Sequence, residues 1–236
     1  MAQKRKYSGK SHATLERQSR RNKAQKIIAV LKEFKDLKQC RILDIGTGSG
    51  DIAAALAKEA KSFVSVDMHD ERLVKGYTFK RVKNEKLPFT KDSFDIVISN
   101  HVIEHVPKQE VHVQEIYRVL KSKGIAYIAT PNKFWITDPH YRLPLLSWFP
   151  RKISSWYLKV VSKKQWDIYP LSYWSLKKLT KKFEVTHMTP KVMHEPKKFY
   201  VTKSKMLQKV LAFIPARVYG FFHDCMPSYI LVLKKN

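Results

Sequence analysis

Acids and glycines alternate over one short run, Arg41-Ile42-Leu43-Asp44-Ile45-Gly46-Thr47-Gly48-Ser49-Gly50-Asp51. Glycine takes positive φ, and it lets a ligand come closer to the backbone than a Cβ allows. A helix-forming stretch, Ile52 to Ala57, follows and turns its free N–H groups back toward the run. A dinucleotide turn, G-x-G-x-x-G, would need its third glycine at position 51, where this chain has aspartate. There is no G-x-x-x-x-G-K-[ST] phosphate loop. Asp44 and Asp51 would repel a pyrophosphate, but they suit a cofactor carrying a sulfonium and an ammonium. A second apolar strand, Ser62 to Val66, ends in Asp67, 21 residues after Gly46. That is close to the spacing at which a carboxylate reaches a ribose hydroxyl pair.

A second group of reactive side chains stands at Asn100, His101, Glu104 and His105. His101, Glu104 and His105 spell H-x-x-E-H, which on a helix can bind zinc. Here the run directly follows an apolar strand, Ile96 to Ile98, and so belongs to a sheet edge. Ligands of open α/β sheets bind outside the carboxyl ends of strands, so Asn100 and His101 are read as pocket residues and no metal is assigned. Asp138, His140 and Tyr141 follow in the loop after the fifth strand. His101, Asp138, His140 and Tyr141 are the candidates for a general base, with His140 preferred and His101 second.

Taken together, D-x-G-x-G-x-G at 44–50, the acid at Asp67, Leu87-Pro88-Phe89 leading through Asp92-Ser93-Phe94-Asp95 into a strand, and His101-Val102-Ile103-Glu104-His105-Val106 carry a resemblance. The chain resembles the class I S-adenosylmethionine-dependent methyltransferases, in their small-molecule, type 11 branch. The likeness covers about residues 40 to 131. It implies an α/β, Rossmann-like doubly wound sheet of seven mostly parallel strands, with an antiparallel last strand and a lid insertion. It implies S-adenosyl-L-methionine as cofactor, with Asp44 at its ammonium group, Gly46, Thr47, Gly48 and Gly50 forming the turn, Asp67 at the ribose hydroxyls, and Met68 among the cofactor-binding residues. Relatives carry an acid shortly before Leu-Pro-Phe, near the adenine amino group. This chain has Lys83-Asn84-Glu85 there, which leaves Asn84, Glu85 or a backbone group for that contact. Asn100 completes the expected pocket.

The elements that must position these residues follow from the pattern. Strands are expected at 42–45, 62–66, 79–82, 96–98, 125–129, 183–188 and 228–233. Helices are expected from about Ala13 to Phe34, over 52–57, over 69–74 with Gly76 as its end, and from Pro107 to a stop at Gly124. Residues 1–23 are basic and read as a mobile arm ahead of a single domain at 24–236. All five tryptophans fall within 132–175, interleaved with Lys and Arg, where the lid is expected. That mixture suits a lipid headgroup interface, stacking on unpaired bases, or an aromatic mini-core. The amphipathic stretch Met206 to Ile214 reads as a helix packed on the sheet, with a membrane-facing helix as the alternative.

With 236 residues, a single core is the simplest architecture. The 46 Lys and Arg against 20 Asp and Glu give a net charge of +26, which attracts nucleic acid, an anionic membrane surface or a phosphorylated substrate. Cys40 and Cys225 have no metal or C-x-x-C spacing, which points to a reducing, cytoplasmic setting, with peripheral membrane contact allowed. Three functions fit: a methyltransferase acting on a small-molecule or lipid-linked acceptor, an RNA methyltransferase, and a non-catalytic binding protein on the same fold. The first is preferred because no Asn-Pro-Pro-Tyr-type run follows the fourth strand.

Overall fold

The computed structural model describes residues 10–236. Helix α1 (Lys10–Lys32) comes first, and residues 1–9 of the expected basic arm lie outside the described residues. The expected arm and helix therefore overlap, since the chain is helical from Lys10. Then come β1 (Arg41–Ile45), α2 (Asp51–Ala57), β2 (Ser62–Asp67), β3 (Thr78–Arg81) and β4 (Phe94–Asn100). The second half holds α3 (Gln109–Val119), β5 (Leu120–Pro131), α4 (Arg151–Ser162), α5 (Tyr173–Leu179) and β6 (Glu184–His187). It closes with α6 (Thr189–His194), α7 (Lys205–Phe213), α8 (Ala216–Phe221) and β7 (Ser228–Lys234).

The seven strands form one sheet in the order β3-β2-β1-β4-β5-β7-β6. Only β7 runs against its neighbours: it pairs antiparallel with β5 and β6, and the other pairings are parallel. Strand order reverses between β1 and β4, which opens a crevice beyond their carboxyl ends. Both faces are covered, so the central strands are apolar on both sides. Ile42, Ile96, Ile98 and Tyr127 pack with Ile27 and Leu31 of α1 and Leu56 of α2. Leu43, Val97 and Ile128 pack on the opposite face with Ile116 of α3 and Leu176 of α5.

Three sequence expectations are corrected. Residues 69–74 form no helix, because the segment is drawn onto the glycine turn. The Leu73 and Val74 N–H groups both donate to the Ser49 carbonyl, at 2.9 and 3.1 Å. Gly124 does not stop α3. That helix ends at Val119, and the buried Leu120 already pairs with Phe94 of β4, so Gly124 lies inside β5. Helix α7 does not pack on the sheet and buries none of its residues.

The segment after β5 holds a small core of its own. Leu146, Leu158, Trp166 and Ile168 are buried there, with Tyr141, Leu143 and Tyr157 against them. Trp148, Trp156 and Trp174 stay exposed, so the mini-core uses only part of the aromatic content. The segment is tied down at both ends. The Tyr169 N–H donates to the Glu104 carbonyl at 2.6 Å, and the Asn132 side-chain amide donates to the carbonyls of Asp224 and Met226 at 2.6 and 2.9 Å.

Candidate active site

The three glycines after β1 all take positive φ, at 83°, 52° and 86° for Gly46, Gly48 and Gly50. They differ in what a side chain would meet. A Cβ on Gly46 would stand 2.3 Å from Val102 Cγ2, and one on Gly50 would stand 2.4 Å from the Val74 carbonyl oxygen. A Cβ on Gly48 would meet nothing within 4 Å, so this glycine faces open space. Two of the glycines are therefore required by packing, while the third keeps a cradle free for a ligand.

Beneath the turn lies a buried polar chain. Asp44 is 4% exposed, and its Oδ2 accepts from the Ser65 hydroxyl at 2.7 Å. Ser65 in turn meets the buried Thr47 hydroxyl. Burial pushes the Asp44 carboxyl up to about 6; the Ser65 hydrogen bond pulls it back, and the nearby Asp67 charge adds to the rise. Asp67 ends β2, and its Oδ2 accepts from the Gly48 N–H at 3.0 Å, which fixes the second acid against the turn. At the mouth, Asp51 accepts from the Ser49 hydroxyl at 2.7 Å and stands 3.7 Å from the Arg20 guanidinium of α1. Met68 is exposed beside Asp67, in an open cleft of about 520 Å³ that it lines with His69, Arg81, Val82 and Lys83. Asn84 spends its side-chain oxygen on its own turn, accepting from the Lys86 N–H at 3.0 Å, and Glu85 beside it is half-buried.

A second cluster stands beyond β4. Asn100 ends that strand opposite Ala129 of β5. His101 follows with φ of 56°, a left-handed conformation that a non-glycine residue adopts at a cost and that recurs at functional sites. Glu104 is 1% exposed. Its Oε2 accepts from the Thr130 hydroxyl at 3.1 Å, while Oε1 has no hydrogen-bond partner. His101 Nδ1 stands 3.3 Å and His140 Nε2 3.9 Å from that Oε1, ion-pair distances without hydrogen-bond alignment. The His105 and His140 rings meet edge to face with centroids 5.0 Å apart. Burial drives the Glu104 carboxyl up, but the facing His101 and the charge of His105 outweigh it and hold it below its usual range. Burial and the neighbouring His105 lower the pKa of His140, partly offset by Asp138 and Glu104, so its imidazole is neutral at pH 7 and able to take a proton.

Two of the four base candidates are committed elsewhere. Asp138 accepts from the N–H groups of His140 and Tyr141 at 2.9 and 3.0 Å and from the Ser147 hydroxyl at 2.6 Å, so it shapes the loop that carries His140. The Tyr141 hydroxyl is bound to the Gln165 carbonyl and to Asp167, and burial raises its pKa further. Sequence reasoning missed Ser65 and the role of Glu104. Ser65 gave no signal in a strand of ordinary composition. Glu104 was visible only as a letter in a zinc-like motif. Glu104, His105 and His140 bring ligand-type atoms within 4.8 Å of one another, the one such grouping among the described residues.

The family profile described as "Methyltransferase domain" matches residues 43–128, which spans the glycine turn, both acids and the His101–His105 run. The "Ubiquinone biosynthesis O-methyltransferase" of Pelagibacter ubique is 28% identical over 196 residues, covering 74% of this chain and 80% of that protein. These likenesses support a class I S-adenosylmethionine-dependent methyltransferase. Solved methyltransferases share the fold. An S-adenosylmethionine-dependent methyltransferase from Mesorhizobium loti superposes with a TM-score of 0.58 at 15% identity, over 89% of this chain and 98% of that one. The Haemonchus contortus phosphoethanolamine N-methyltransferase 2, solved with S-adenosyl-L-methionine, gives 0.54 at 20% identity over 88% of this chain and 51% of that one. The cofactor is S-adenosyl-L-methionine. The residues fit it: a buried carboxylate, an open glycine cradle and a second carboxylate at the end of β2 suit a molecule with an ammonium group and a ribose.

Proposed function

We propose that the enzyme methylates a hydroxyl of a small, lipid-linked acceptor, and that it works against an anionic membrane surface. The cofactor supplies a methyl group on a sulfonium, activated for in-line displacement, so the protein chiefly aligns donor and acceptor and excludes water. Asp44 takes the ammonium group. Gly46, Thr47, Gly48 and Gly50 form the cradle, and Asp67 takes the ribose hydroxyls. Met68 covers the adenine side, where Asn84, Glu85 or a backbone group meets the ring amine. Asn100 lines the reacting end.

One observation supports a hydroxyl acceptor above the rest. A neutral imidazole, His140, stands between two buried carboxylates, Glu104 and Asp138, at 3.9 Å from each. A base is needed when the nucleophile must lose a proton, as a hydroxyl does. His140 takes that proton, and the two carboxylates stabilise the imidazolium that forms. His101, beside the same Glu104, is the second candidate. The O-methyltransferase relative named in ubiquinone biosynthesis agrees with a lipid-linked acceptor.

The test is transfer of labelled methyl from S-adenosyl-L-methionine into a phenolic isoprenoid, a total lipid extract and total RNA. The expected result is label in the phenol or lipid fraction, reduced at least about a hundredfold by His140→Ala, as for loss of a general base. Label found in RNA alone would move the second reading, an RNA methyltransferase using the +26 surface, to the front. Saturable cofactor binding with no transfer to any of the three would favour the non-catalytic reading.

A further inference from the structure

The lid and the segment before β7 both turn apolar side chains outward. On α4, Ser154 and Leu158 face the lid core, while Ile153, Trp156 and Val160 are 47%, 67% and 63% exposed. On α7, Met206, Val210 and Phe213 are 78%, 50% and 89% exposed, and Phe221 of α8 is 81% exposed. At about 100° per residue, each trio falls within roughly 60° of its helix surface, so each forms a stripe. Lys152 and Lys159 flank the stripe on α4, and Lys205 and Lys209 flank the one on α7.

Both stripes rise from one rim of the sheet. Because β7 runs antiparallel to β5, Pro131 at the end of β5 pairs with Ser228 at the start of β7. The lid therefore leaves the sheet where the chain from α8 enters it, and Asn132 bonds the two to each other. His101 and His140 stand at the same carboxyl-end rim.

We propose that these two stripes dock the enzyme on an anionic lipid bilayer, with the acceptor pocket opening toward the lipid; this rests on the lipid-linked reading above. Charge selects the occupant. A second copy would bring another +26 against the same face, whereas an anionic surface attracts it. Unpaired bases want flat rings, whereas Ile153, Val160, Met206 and Val210, more than half of the side chains named here, offer none. A bilayer interface takes all three kinds of side chain present: aliphatic tips inserted, tryptophan at the boundary, and lysine at the phosphates. Insertion is shallow, since no helix among the described residues is long and apolar enough to cross a membrane.

The test is flotation of the full chain with vesicles of phosphatidylcholine alone and of phosphatidylcholine with about three tenths phosphatidylglycerol. Two variants accompany it: Ile153→Ser with Trp156→Ser and Val160→Ser, and Met206→Ser with Phe213→Ser and Phe221→Ser. Wild type should bind the anionic vesicles at least about tenfold more tightly than the neutral ones, and each variant should lose about tenfold or more, with affinity for S-adenosyl-L-methionine unchanged. Tryptophan quenching of wild type by brominated lipid reads insertion directly, so a variant that fails to fold does not end the test. Absence of quenching, wild-type affinity in both variants, or a wild type that forms a dimer disrupted by the variants and binds no vesicles would each overturn the proposal. Vesicle binding without methylation of any lipid would leave the docking intact and sink only the acceptor assignment.

Discussion

With Asp44 at the cofactor's ammonium group, as proposed, the buried acid under the glycine turn makes cofactor affinity depend on pH in a defined direction. Asp44 is held at about 6, against an ordinary 3.8. The difference is about two units, or roughly 3 kcal/mol between the two protonation states. The folded-state pKa lies above the unfolded one, so the cofactor-free protein binds more protons than the unfolded chain between about pH 4 and 6. Its stability therefore falls as pH rises through that window and levels off above about 6. An ammonium placed against the carboxylate reverses the preference and keeps it ionised, so binding below pH 6 must expel a proton.

Affinity for S-adenosyl-L-methionine should then be flat above about pH 6.5 and weaken by up to about tenfold per unit below pH 6. Calorimetry at pH 6 in two buffers of different ionisation enthalpy should show about half a proton released per cofactor bound. Asp44→Asn should bind more weakly at every pH, lose the slope, and melt higher than wild type at pH 7 without cofactor. Affinity of the wild type that stays level from pH 5 to 7, or an unchanged slope in Asp44→Asn, would refute the assignment of the ammonium site.

Glycine substitutions should separate packing from binding. Gly48→Ala should cost about 1–2 kcal/mol of stability for its positive φ yet leave a folded protein with impaired cofactor binding. Gly46→Ala should cost more, because its Cβ also meets Val102, and thermal melting compares the two. Glu104→Gln removes a charge that raises the pKa of His140, so the acidic limb of the pH–rate profile should move to lower pH while the rate falls about tenfold or more. Asn132→Ala removes the amide that donates to the Asp224 and Met226 carbonyls, leaving the former only the Tyr229 hydroxyl at 3.4 Å. It should destabilise the lid base by about 1–3 kcal/mol, seen as faster amide exchange over 132–148.

Much of the fold around the glycine turn was legible because that half is local in sequence. A strand, a turn of alternating glycines, a helix and a second strand ending in Asp67 are all encoded within one stretch, and each has its own periodic or conformational signature. The sheet followed, since its strands are apolar runs between turn residues. What escaped depends on contacts distant in the chain. The loop at 69–74 has helix-compatible residues, but the Ser49 carbonyl competes for its N–H groups. Lys121, Lys123 and Gly124 carry a helix-stop pattern, yet Leu120 gains more by pairing with Phe94 in the sheet. Glu104 and His140 lie 36 positions apart, and only the fold of the lid brings them together.

The reversed strand connects these non-local features. A parallel seventh strand would enter at the opposite edge of the sheet, and the chain preceding it would lie far from the pocket. Running antiparallel, β7 starts beside the end of β5, so residues 223–227 and the lid base share one rim. The same topology brings the Thr130 hydroxyl under Glu104, which orients the carboxylate whose free oxygen faces His101 and His140. The proposed catalytic geometry and the outward apolar stripes thus have a common origin in the pairing of Pro131 with Ser228. A change there should disturb cofactor-independent lid order and acceptor turnover together, while leaving the Asp44–Gly48–Asp67 cradle, carried by β1 and β2 on the other side of β4, able to bind its ligand.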